Sequence, residues 1–108
     1  MTFEVKATIQ MYDTNHGGRQ GPTRSEHFQC PVWFGPPSHS ETRFFLNEIG
    51  PLTPGTTYIN VPMDFLCRDL VMEHLFVGKE FKLWEGKDIG AGVITSVRID
   101  LESDSGGR

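Results

Sequence analysis

At 108 residues the chain is expected to build one hydrophobic core rather than two. A hydrophobic fraction of 37% and a charged fraction of 22% are those of a globular protein, and no apolar stretch approaches the roughly 20 residues of a membrane helix. The net charge of −4, with ten Lys and Arg that form no run, argues against autonomous binding of bare nucleic acid and favours a protein partner.

Phe3, Val5, Ala7, Ile9 and Met11 alternate with Glu4, Lys6, Thr8 and Gln10, the period of a half-buried strand. The turn formers of Asp13 to Pro22 then predict a long exposed loop. His27 to Phe34 reads as a second strand, with Phe28, Cys30, Val32 and Phe34 inward and His27, Gln29, Pro31 and Trp33 outward. Pro31 cannot donate to a ladder, so either this strand lies at an edge or the Pro31 nitrogen faces away from its neighbour. The segment Gly35 to Ser40 breaks this strand, and Thr42 to Asn47 forms a third with Phe44 and Leu46 on one face.

Two prolines and two glycines in Ile49 to Gly55 make a turn. Tyr58 to Phe65 alternates again, placing Ile59, Val61, Met63 and Phe65 together. The stretch Asp69 to Val77 fits either a short amphipathic helix or an irregular strand with a crossing loop; strand or loop is expected, because everything around it reads as β. Phe81 to Glu85 and Gly90 to Leu101 complete the set around a tight turn at Gly86 to Asp88, with Val93, Thr95, Val97, Ile99 and Leu101 sharing a face. Six or so short strands separated by turn signals predict an all-β, closed or nearly closed barrel over 1–101, followed by a polar, frayed tail over 102–108.

Cys30 and Cys67 stand apart without a CxxC partner, so two buried free thiols in a reducing compartment are expected rather than a disulfide. The N-terminus has no basic and apolar leader, which gives an expected cytoplasmic location. The spacing of His27 and Cys30 suggests half a metal site, but strand residues three apart face opposite ways. No metal, cofactor or catalytic role is therefore expected.

Gly17-Gly18-Arg19 after the opening strand, Leu52-Thr53-Pro54-Gly55, and Glu85-Gly86 followed by Ile89-Gly90-Ala91-Gly92-Val93-Ile94-Thr95 are three collinear landmarks that together resemble the third domain of elongation factor Tu. The opening strand runs into Gly17-Gly18-Arg19 with Pro22 behind it, like that family's Gly-Gly-Arg/Lys. Leu52-Thr53-Pro54-Gly55 is similar to its Pro-Gly-Asp turn. The segment from Phe81 through Leu83, Glu85-Gly86 and Ile89-Gly90-Ala91-Gly92-Val93-Ile94-Thr95 is similar to Phe-Ala-Ile-Arg-Glu-Gly-Gly-Arg-Thr-Val-Gly-Ala-Gly-Val-Val-Thr, the most specific of the three. The resemblance implies a six-stranded antiparallel β-barrel that contacts aminoacyl-tRNA, a nucleotide-exchange factor and a GTPase domain. The chain has no Gly-x-x-x-x-Gly-Lys-Ser/Thr, so GTP binding by it alone is not expected. It also departs from the family where Trp84 replaces an Arg before Glu-Gly and Lys87-Asp88 follows it, which weakens the tRNA expectation.

The candidate binding residues are Arg19, Arg24 and Lys87, as a small basic patch for phosphate or carboxylate, with His27 beside them. Trp33 and Trp84 are both expected off or near the edge of the core, where exposed aromatics serve as a protein-docking anchor or cover a barrel end. The expected function is that of a non-catalytic binding domain linked to translation. The alternatives are an interaction or immunity-type protein mimicking that domain, and a small ligand-binding barrel or enzyme working at the barrel mouth.

Overall fold

Alternation puts Val5, Ala7, Ile9 and Met11 on one side of the first strand, and all four are buried. The computed structural model describes residues 2–35 and 38–100. Its strands are β1 Thr2–Met11, β2 His27–Gly35, β3 Ser38–Phe45, β4 Thr57–Phe65, β5 Glu80–Trp84 and β6 Asp88–Asp100. They pair antiparallel in the order β1-β4-β3-β2-β5-β6, and β6 returns to β1 to close a six-stranded barrel. Closure leaves no sheet edge to be covered. The all-β closed barrel read from the sequence is the fold observed; the polar tail lies outside the described residues.

The barrel is filled rather than hollow. Phe28, Cys30, Val32 and Phe34 from β2 meet Phe44, Val61, Met63, Phe81, Leu83 and Ile94 in one continuous core. Leu46 and Leu52, from the connection between β3 and β4, join them. Burying side chains of this size contributes about 1.5–3 kcal/mol each, which is the main source of stability for the fold.

Two strands change phase part-way along. β4 pairs Val61 with Ala7 but Tyr58 with Ile9, so β4 carries one extra residue against β1. β6 pairs Ser96 with Lys6 but Ile94 with Ala7, again with one extra residue. Both are β-bulges, which add twist and re-aim the side chains beyond them. Asn60 sits in the β4 bulge at φ 55°, a left-handed conformation that Asn tolerates better than most residues. The Thr95 hydroxyl donates to Asn60 Oδ1 at 2.6 Å, tying the two bulges together across β1. Two face assignments are corrected as a result. Ile59 is 67% exposed rather than inward, and Ile94 is fully buried while Thr95 faces solvent.

Three further differences have local causes. β3 begins at Ser38 rather than Thr42, because Ser38, His39, Ser40 and Glu41 pair with β2 despite lacking any apolar alternation. The segment after β4 is neither strand nor α-helix: it folds as consecutive 3-10 turns at Arg68–Leu70 and Met72–His74. It is pinned by buried Val71 and Leu75 and by the His74 ring, stacked 4.8 Å from Phe34. The loop after β1 is less exposed than its composition predicts. Gly17 takes φ 95°, Gly18 is buried, and the Thr14 hydroxyl donates to the Arg19 carbonyl at 2.7 Å.

Glycine is required at two places in the resemblance motifs. A Cβ on Gly18 would overlap the Tyr12 carbonyl oxygen, and one on Gly92 would overlap the Phe81 ring. The Gly18 overlap is with backbone, which cannot rotate away. Gly18→Ala is therefore expected to destabilise the protein by about 2–4 kcal/mol. Gly21→Ala, where an added Cβ meets nothing within 4 Å, is expected to stay within about 0.5 kcal/mol. Thermal unfolding of the two variants side by side checks the contrast.

Candidate functional site

Strand register assembles an aromatic ridge on the outside of the barrel. β2 places Trp33 opposite His39 on β3 and opposite Lys82 on β5. Trp84 lies two residues beyond Lys82 and so on the same outer face. The Trp33 and His39 rings stack with centroids 6.0 Å apart, and His39 reaches across β2 to Trp84 at 5.3 Å. Trp84 is 39% exposed and Trp33 half-buried, so the ridge presents aromatic surface to solvent. The pair of tryptophans singled out in the sequence is thus one cluster. Its third member, His39, lies in a polar run that has no apolar alternation to mark a strand.

Beside the ridge runs an open groove of about 480 Å³. Trp33 and Lys82 form one side, Thr8, Gln10 and Thr57 the other, and Ala91 contributes to the floor. Lys82 Nζ donates to the Tyr12 hydroxyl at 3.0 Å. That hydrogen bond, helped by the charges of Asp88 and Glu80, raises the Lys82 pKa above the ordinary lysine value. The ammonium is therefore a fixed, fully charged donor at the groove wall.

The remaining sequence candidates fall elsewhere. Arg19 lies 5.3 Å from the Phe28 ring centroid, and its Nη1 is 3.6 Å from Glu85 Oε2, buried and without a hydrogen-bond acceptor. It clamps the first loop to the β5–β6 turn and is largely engaged within the fold. Arg24 and Lys87 are exposed, and neither side chain makes an ion pair or hydrogen bond among the described residues. His27 is exposed on β2 opposite Phe45.

A second cavity, of about 690 Å³, lies between the outer face of β3 and the turn after β4. One of its two arginines is also engaged. Arg68 donates from Nε and Nη2 to the Asp64 carboxylate at 3.0 and 2.8 Å, with its guanidinium 4.1 Å from the Phe3 ring centroid. The Arg68 hydrogen bonds hold the Asp64 carboxyl below its ordinary pKa. Exposed Cys67 lies here, which corrects the expectation that both thiols are buried. Cys30 is buried as expected, and desolvation pushes its thiol up to about 12. Both cysteines are free.

Among the described residues no three His, Cys, Asp or Glu side chains converge as a metal site, and no helix is long and apolar enough to cross a membrane. No protein-family model matches the chain, and no curated protein matches it in sequence.

Two outcomes follow from this geometry. At pH 8 iodoacetamide is expected to modify Cys67 in the native protein and Cys30 only after unfolding, read as one and then two adducts by mass spectrometry. Tyr12→Phe is expected to return the Lys82 titration toward the ordinary lysine range, followed through its side-chain ¹³C shift. An unmoved titration contradicts the role assigned to the Tyr12 hydroxyl.

Proposed function

We propose that this chain is a non-catalytic binding domain, related to the third domain of elongation factor Tu, that engages a protein partner linked to translation. The observation that carries this reading is the solvent-facing Trp33–His39–Trp84 ridge on a barrel whose interior is occupied by its own core. Aromatic surface held rigid by strand register loses little side-chain entropy on docking and supplies the anchor that protein interfaces use. A filled interior favours this reading over a ligand carried inside the barrel. The collinear glycine and Glu85-Gly86 motifs, on a closed six-stranded barrel, support the family relation.

Charge favours protein over RNA as the partner. Arg19 is taken up by Glu85 and Phe28, and the net charge of −4 supplies little phosphate neutralisation. A pair of free cysteines suits the reducing cytoplasm, where we place the protein.

Trp33→Ala and Trp84→Ala are each expected to weaken partner capture by the tagged protein on the order of tenfold or more, as loss of an aromatic anchor does. Arg24→Ala is expected to leave capture unchanged. If both tryptophan variants retain every bound protein at unchanged affinity, the docking surface is wrongly placed. Salt-sensitive binding of aminoacyl-tRNA with the tryptophan variants unaffected favours the RNA reading instead.

A further inference from the structure

The groove beside the aromatic ridge has a chemistry that selects among protein partners. Neither the Trp33 nor the Trp84 indole N–H has a hydrogen-bond acceptor among the described residues. Gln10, exposed on the opposite wall, makes no side-chain hydrogen bond there either. Lys82 has three N–H protons and places one on Tyr12. Unused donors therefore stand on both walls of the groove, those of Trp33 and Lys82 on the ring-bearing side and that of Gln10 on the other. Glu80 lies in the same lining, and Asp88 is paired with Trp84 across β5 and β6; neither makes an ion pair among the described residues.

A ligand complementary to this surface offers acceptors to the indole and ammonium donors, apolar rings to lie on tryptophan, and a cation for Glu80 or Asp88. Proline lacks a backbone N–H and keeps its carbonyl. A run of prolines is preformed as a polyproline II helix with every carbonyl exposed, so little ordering entropy is lost when it docks on aromatic rings. An adjacent Arg or Lys supplies the cation. Phosphate backbones meet the same acids with the wrong sign.

Building on the docking role above, we propose that the Trp33–Lys82 groove binds a proline-rich extended segment flanked by a basic residue. Four strands contribute to recognition, β6 among them through Ala91. β2 and β5 provide the rings and the ammonium, and β1 provides Gln10. The outward Ala91 and Gly35 in the lining leave room for pyrrolidine rings between them.

Trp33 lines the groove and Trp84 belongs to the ridge beside it, so the signals of the two tryptophans report on this surface. The experiment titrates ¹⁵N-labelled protein with a synthetic oligoproline peptide ending in an arginine pair, following the two indole N–H cross-peaks and tryptophan emission. Both cross-peaks are expected to move saturably. Exchanging the arginines for glutamates is expected to weaken binding about tenfold, and Glu80→Gln, a surface change that leaves the rings in place, about threefold. No movement of either indole up to about 1 mM peptide overturns the proposal. So does equal binding of an alanine-rich peptide with the same arginine pair. If partner capture depends on the tryptophans while the oligoproline peptide leaves the indoles unmoved, this inference fails and the docking role stands. If capture is also insensitive to Trp33→Ala and Trp84→Ala, both fail.

Discussion

β1 lies between two strands that each carry one residue too many, and the extra residues face each other across it. The Thr95 hydroxyl donates to Asn60 Oδ1 at 2.6 Å and lies 3.3 Å from the Lys6 carbonyl, so the two bulges and the strand between them are linked at one level. A barrel of six short strands must coil strongly to close, and bulges supply that added twist. They also decide which residues enter the core. Without the β6 bulge, a single alternation from Val97 and Ile99 would carry Val93 inward and leave Ile94 in solvent. With it, Ile94 is buried, Gly90 and Gly92 face inward against Met11 and Phe81, and Ala91 and Val93 line the outside.

The candidate site depends on that choice of phase. Its floor and far wall are outward residues of β6, β1 and β4 that lie beyond the bulges, while its rings come from β2 and β5. Gly92 connects the two sides of the wall: the Phe81 ring fills the space a Cβ would take there, so β5 packs closely on β6. Residues that look like a functional glycine motif thus act on the inside, as steric requirements of closure. The outer face they make possible carries Trp84 and Lys82.

Fold class and most strand positions were legible because period-two alternation and turn residues are local signals. The bulges were not. An inserted residue flips the phase without breaking the run, and at both places either phase offers an apolar residue: Tyr58 or Ile59 in β4, Val93 or Ile94 in β6. The start of β3 was illegible for the opposite reason, since Ser38 to Glu41 has no apolar residue to alternate. Of the candidate site, Trp33 and Trp84 could be named from the sequence but not joined. His39, the Tyr12–Lys82 hydrogen bond and the engagement of Arg19 by Glu85 arise from pairing between distant segments, which composition cannot show. Cys67 misled because it follows an apolar strand, yet it begins a turn whose side chains point outward.

The measurement that tests this account most directly is the pattern of cross-strand nuclear Overhauser contacts along β1. The bulged register predicts contacts of Ala7 with Ile94 and of Ile9 with Tyr58. Contacts of Ala7 with Thr95 and of Ile9 with Ile59 would mean that neither strand carries the extra residue. In that case the inward and outward faces of β4 and β6 are reversed, and the groove described on the outer surface does not exist.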